Sequence, residues 1–171
     1  MCECADKTTF SDAVLQEVQE VMARYPTKRA AALPLLHIAQ REFRYLSDPV
    51  MQYVAGFLDI NPIELKNTAS FYTMFFQKEV GRHIIWVCHT LSCAILGAAD
   101  ILAHLEKRLG ISAGHTTNDK MFTLMKAECL GSCGTGPMIQ IDDEYYEDLT
   151  IERLDEILDG MIKAGRSEES A

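Results

Sequence analysis

No stretch of the 171 residues stays apolar for the roughly 18–20 positions a helix needs to cross a bilayer. A helical membrane anchor is therefore not expected. The N-terminus, Met1-Cys-Glu-Cys-Ala-Asp-Lys7, lacks the basic-then-apolar order of a signal peptide. A cytoplasmic location is the default expectation, with any membrane contact made through partners. Basic clusters are missing too. Sixteen Lys and Arg stand against 25 Asp and Glu, a net charge of −9, so nucleic acid is not an expected partner. No G-x-G-x-x-G follows a strand and no P-loop occurs, so neither a nicotinamide nor a nucleotide phosphate has an evident cradle. The first half shows no acid–base or nucleophile cluster, and the chain shows no internal repeat. A substrate pocket of its own is not expected.

What is present is an ordinary globular composition, 48% hydrophobic and 24% charged, enough for a core. The first half has a helical period. Val14, Val18, Val21 and Tyr25 recur after Ser11, a candidate N-cap. Leu33–Phe43 forms a second stretch, interrupted or begun by Pro34. Asp48 with Pro49 announces a third, as a capping side chain before a proline at the first helical position. Asn61, Pro62 and Glu64 open a fourth in the manner of a capping box. Residues 1–78 thus read as a small helical bundle whose first ~10 residues are flexible. His37, on an apolar helix, reads as a satisfied core histidine. The aromatic run Phe71–Phe76 reads as interdomain core or, alternatively, a docking surface.

Residues 79–165 change character. His83–Cys88 is a nearly continuous β-prone apolar run, expected to be covered on both faces. Trp86 and Cys88, two apart on it, share one side. A helix follows, with Ile95, Ala98, Leu102, Leu105 and Leu109 on one face, Lys107 and Arg108 in its last turn and Gly110 as its C-cap. Phe122–Ala127, Met138–Ile141 and Tyr145–Tyr146 read as strands, with a turn at Asp142–Glu144. Thr150 caps a last helix carrying Leu154, Ile157, Leu158 and Met161. The order β, α, β, β, β, α predicts an α/β fold with a small mixed sheet. Residues 166–171 read as a disordered tail.

The six cysteines carry the chemistry. In a chain without export signals, tight pairs read as metal-binding or catalytic before they read as disulfides. Cys88-His-Thr-Leu-Ser-Cys93 is C-x4-C and Cys129-Leu-Gly-Ser-Cys133 is C-x3-C. Each pair leaves a predicted strand, where free backbone N–H groups and the positive end of a following helix suit an anionic thiolate–iron cluster. Gly131 lets the second loop turn tightly, and Gly134 and Gly136 are expected to do the same. Structural zinc also takes four cysteines, though more often from C-x2-C knuckles. A thioredoxin-type dithiol wants C-x-x-C, which neither pair has. A Rieske centre wants two histidines, and only His89 is at hand, better read as an outer or surface residue. Cys2 and Cys4 read as free thiols on a tail. Spacing alone leaves [2Fe–2S] and zinc both open.

A wider pattern goes further. The segments Tyr25–Ala30, Leu33–Phe43, Ala69-Ser-Phe-Tyr-Thr-Met-Phe75, Val80-Gly-Arg-His-Ile84, Phe122-Thr-Leu124, Glu128–Cys133 and Pro137–Thr150 resemble the E subunit of NADH-quinone oxidoreductase, respiratory complex I. The resemblance runs from about residue 12 to about residue 163. It implies a helical bundle followed by a thioredoxin-like ferredoxin domain, with one [2Fe–2S] cluster on Cys88, Cys93, Cys129 and Cys133. With no evident general base or nucleophile near the cluster, no catalytic residue is expected in this chain. Single electrons would pass to and from the FMN of a partner flavoprotein that binds NADH, beside other peripheral-arm subunits on the cytoplasmic side of the inner membrane. Similar subunits serve NAD-linked hydrogenases and formate dehydrogenases, and a zinc-stabilised adaptor is the alternative without redox chemistry. In one place the chain departs from the family: Arg44-Tyr45 stands where a glycine and an aromatic are common.

Overall fold

The computed structural model describes residues 8–168, which divide into two units between Glu79 and Val80. In the first, α1 (Asp12–Ala23) leads through a 3-10 turn (Lys28–Ala31) to α2 (Ala32–Phe43), α3 (Asp48–Leu58) and α4 (Pro62–Phe71). Val18, Leu35, Leu36, Met51, Val54, Leu58 and Leu65 meet in its core. Local chemistry sets the helix ends. Ser47, not Asp48, caps α3, its hydroxyl accepting from the Val50 N–H, so Asp48 is the first helical residue and Pro49 the second. Asn61 caps α4 by accepting from Ile63 N–H, while Glu64 pairs with Arg29 at 2.9 Å instead of closing a capping box.

Residues 1–7 of the segment expected to be flexible lie outside the described residues, and the chain is anchored at Phe10, where that segment ends. Phe10 is buried, its ring 5.3 Å from that of Phe43, and its N–H donates to the Tyr53 hydroxyl. Cys2 and Cys4 lie outside the described residues. His37 is exposed, not buried in the core; its ring leans on Phe75 at 4.8 Å. Of the aromatic run, Phe75 belongs to the core of this first unit, and Phe71 and Met74 are exposed. The Gln40 side chain holds the run in place, donating to the Met74 carbonyl and accepting from the Phe76 N–H, both at 2.7 Å.

Arg44 ends α2 at φ 68°, a conformation that suits glycine far better than a residue with a Cβ. The place where the chain departs from the family pattern is thus a strained one. Arg44→Gly should stabilise the fold by on the order of 0.5–1 kcal/mol, the relief of strain slightly exceeding the added chain entropy. A lower midpoint in urea would overturn this.

The second unit is an α/β fold on a five-stranded mixed sheet, order β2-β3-β1-β4-β5. The strands are β1 (His83–Cys88), β2 (His115–Thr116), β3 (Phe122–Ala127), β4 (Ile139–Ile141) and β5 (Glu144–Tyr146). β1 runs parallel to β3 and antiparallel to β4. Ile85 and Val87 are buried with Ile101 and Leu105 of α6 (Ala98–Leu109) and Leu154 and Leu158 of α7 (Ile151–Glu168). Alternation turns Trp86 and Cys88 to the other face. That face is less covered at Trp86 than the expectation of a strand buried on both sides implied.

The single helix expected after β1 is two. A five-residue α5 (Leu91–Ile95) ends at Leu96, and Gly97 at φ 99° restarts the chain as α6. Ile95 therefore leaves the α6 face and is 75% exposed. β2 escaped the sequence reading because two residues carry no period. α7 begins where Thr150 accepts from the Arg153 N–H. It runs through Glu168, so residues 166–168 of the expected disordered tail are helical, and 169–171 lie outside the described residues. Continued packing explains the extension: Ile162 still lies on the core, and Gly165 sits against the Met121 side chain.

Candidate metal centre

The sheet topology gathers the cysteines. Because β1 and β3 are parallel neighbours with Cys88 opposite Ala127, both strands deliver their exit loops to one edge. Cys88 is the last residue of β1, and Cys129 lies two residues beyond β3. β4 starts from the same edge, with Ile139 opposite Val87, so the loop carrying Cys133 must also pass there. Cys93 returns in the first turn of α5. Two backbone bonds close the edge: His89 N–H donates to the Ala127 carbonyl at 3.2 Å, and Cys88 N–H to that of Met138 at 3.4 Å.

Cys88 and Cys93 are buried in a small cluster with Ala98 and Met138, while Cys129 and Cys133 are exposed. Burial pushes the Cys88 thiol up, but hydrogen bonds from the Thr90 and Leu130 backbone and from Cys93 and Cys129 together bring it below the ordinary value. Cys93 is pushed up, first by burial and then by its neighbour Cys88, with Cys133 adding to the repulsion. Cys88 thus has Cys93 and Cys129 as neighbours, and Cys93 has Cys88 and Cys133. Among the described residues no three Cys, His, Asp or Glu side chains close around one point as a single ion would need. The thiols fall into a buried pair and an exposed pair.

The loops are shaped for sulfur. Gly131, at φ 83°, donates its N–H to Cys129 Sγ at 3.4 Å. A Cβ on Gly136 would stand 3.1 Å from a Leu96 methyl and 3.3 Å from Cys93 Sγ, so glycine lets this backbone lie against the thiol without pushing either aside. Gly134, in contrast to the expectation, has ordinary φ and open space around it. His89 is exposed and lies 3.6 Å from Glu128, away from a ligand role. Two thiolates for each iron, with backbone N–H groups aimed at sulfur, is what a [2Fe–2S] centre requires, and the residues fit it.

Sequence reasoning missed two features here. Leu91, Ile95 and Leu96 are 71%, 75% and 51% exposed, on and just after the short helix that carries the buried Cys93. Tyr145 and Glu147, assigned to no role, bond to the second cysteine loop. A hollow of about 610 Å³ in this unit is lined by Arg82, Arg108, Lys120, Met121 and Phe122, at the opposite end of β1 and β3, and borders no cysteine. Among the described residues no helix is long and apolar enough to cross a membrane.

The model of the thioredoxin-like [2Fe–2S] ferredoxin family matches residues 18–162. The E subunit of NADH-quinone oxidoreductase from Rickettsia conorii is 44% identical over 154 residues, covering 88% of this chain and 92% of that protein. The E 2 subunit of the same enzyme from Rhizobium meliloti is 40% identical over 151 residues, covering 88% and 90%. The mitochondrial NADH dehydrogenase [ubiquinone] flavoprotein 2 of Dictyostelium discoideum is 40% identical over 144 residues, covering 82% of this chain and 58% of that one. Among solved structures, a chain of an air-oxidised NAD+-reducing [NiFe]-hydrogenase superimposes with a TM-score of 0.71 at 24% identity. It is matched over 78% of this chain and 23% of its own length, and it shows the fold alone.

Proposed function

The chain belongs to the thioredoxin-like [2Fe–2S] ferredoxin family, and from that premise we propose that it is the electron-carrying [2Fe–2S] subunit of an NADH:quinone oxidoreductase, with its cluster on Cys88, Cys93, Cys129 and Cys133. The observation that carries this reading is the delivery of both cysteine pairs to one sheet edge by the parallel β1–β3 pair. When bound, the cluster supplies a one-electron redox centre. The chain's own residues do the rest. The four thiolates hold the irons, Gly131 N–H donates to sulfur, and Ala98 and Met138 keep water from the inner pair.

The role beyond holding the centre follows from electron counting. NADH gives up two electrons together as hydride, and a [2Fe–2S] centre takes one. A flavin on a partner must divide them, so single electrons pass between this chain and an FMN-bearing, NADH-binding flavoprotein. The exposed Leu91, Ile95 and Leu96 beside Cys93 support contact at this end, since buried apolar surface drives association. The complex would lie on the cytoplasmic side of the membrane and hold this chain there by its partners.

The test is iron, sulfide and zinc content of the chain purified without oxygen, with an EPR spectrum after dithionite reduction. Two irons and two sulfides per chain with a reduced [2Fe–2S] signal are expected. One zinc, no sulfide and no signal would sink the reading. Affinity purification from the native host then identifies the complex: an FMN protein together with quinone-reducing membrane subunits is the expected company, and a hydrogenase or formate dehydrogenase chain would reassign it.

A further inference from the structure

The residues following β4 touch the second cysteine loop at both of its ends. Tyr145, on β5 and half exposed, donates its hydroxyl to the Leu130 carbonyl at 2.9 Å. That carbonyl shares one peptide unit with the Gly131 N–H, which donates to Cys129 Sγ. The peptide is therefore held at its oxygen by Tyr145 and aimed at sulfur by its nitrogen. Gly131, without a Cβ, leaves this peptide more rotational freedom than another residue would. At the other end, Glu147 Oε1 accepts from Thr135 Oγ1 at 2.6 Å and from Ser132 Oγ, and the two hydroxyls are 2.7 Å apart. Three oxygens meet there with two hydroxyl protons between them, so neither hydroxyl has a proton left for a sulfur. Asp148 N–H adds a bond to the Thr135 carbonyl at 2.8 Å. Cys133 lies between Ser132 and Thr135 in the chain.

We propose that Tyr145 and Glu147 are positioning residues that set the reduction potential of the centre: Tyr145 by aiming the Leu130–Gly131 peptide at Cys129, and Glu147 by engaging the Ser132 and Thr135 hydroxyls and placing a negative charge beside the loop. This rests on the cluster reading above. Hydrogen bonds to sulfur favour the reduced, more negative centre, and a nearby negative charge disfavours it. The two residues thus act with opposite sign, which loss of packing alone would not produce.

The experiment is a redox titration of the holo-protein, wild type against Tyr145→Phe and Glu147→Gln, with amide hydrogen exchange on the metal-free full chain. Tyr145→Phe should lower the potential and Glu147→Gln raise it. Each change should be about three- to tenfold in the one-electron equilibrium, tenfold being about 59 mV. Gly131 amide exchange should accelerate in Tyr145→Phe. Shifts of the same sign, or unmoved potentials in variants that hold two irons and two sulfides, would overturn the positioning role and leave the carrier reading standing. A wild type that takes up no iron would overturn both.

Discussion

Cys88→Ala, purified without oxygen, should be colourless and carry little or no iron or sulfide, and Cys129→Ala should behave the same way. Loss of an outer partner of a metal ligand already costs about 10–100-fold in affinity. Loss of a thiolate removes a direct bond and must cost more. The two variants probe different environments, because Cys88 is buried between Ala98 and Met138 and Cys129 is exposed. A shared outcome therefore reports ligation, not packing. The fold should survive in both, since the Ile85–Val87–Leu105–Leu158 core is separate from the cluster around Cys88. Far-UV circular dichroism of the metal-free variants checks that. Cys2→Ala and Cys4→Ala should keep full iron content. Full iron in Cys88→Ala, or iron loss in Cys2→Ala, would overturn the ligand assignment.

The sequence made some parts of this molecule legible and hid others for physical reasons. β1 and β3 are six-residue β-prone runs, and their bounds coincide with the expected ones. Helix caps were legible by type but uncertain by one residue: Ser47 and Asp48 are both good caps, and only the geometry shows Ser47 bonded to Val50. Ile95 was misplaced because its spacing continues the α6 stripe. The positive φ of Gly97 breaks that stripe, and a glycine alone does not announce its φ. His37 was read as core from its apolar neighbours, but those neighbours cover the other face of α2. At the centre, the cysteine spacing marked the candidate donors. The bonds from Tyr145 and Glu147 join residues 12 to 15 positions away across a hairpin, and no local pattern encodes them.

Gly81 is the sharpest case of a residue whose pattern was visible and whose reason was not, and Gly81→Ala should destabilise the second unit strongly. A Cβ there would stand 2.7 Å from the Phe122 carbonyl carbon and 2.9 Å from its nitrogen, both main-chain atoms that cannot step aside as a flexible side chain can. The adjoining bonds hold the two segments together: Arg82 N–H to the Lys120 carbonyl and His83 N–H to that of Met121, each 2.8 Å. Gly81 N–H also donates at 2.6 Å to the hydroxyl of Thr123, a buried threonine. Moving the strand away to make room would stretch these bonds and leave that hydroxyl short of a donor. Overpacking of this kind costs about 1–3 kcal/mol or more. Gly160→Ala is the matched contrast. Gly160 lies within α7 with open space where its Cβ would go, so alanine should stabilise by about 0.5–1 kcal/mol. Trp86, the single tryptophan, lies on β1 and reports unfolding of this unit in urea by its fluorescence. A lower midpoint for Gly81→Ala and a higher one for Gly160→Ala, in metal-free protein where cluster loss plays no part, is the expected pair. Equal midpoints for Gly81→Ala and wild type would show that β1 and β3 do not approach as closely at this point as the register requires.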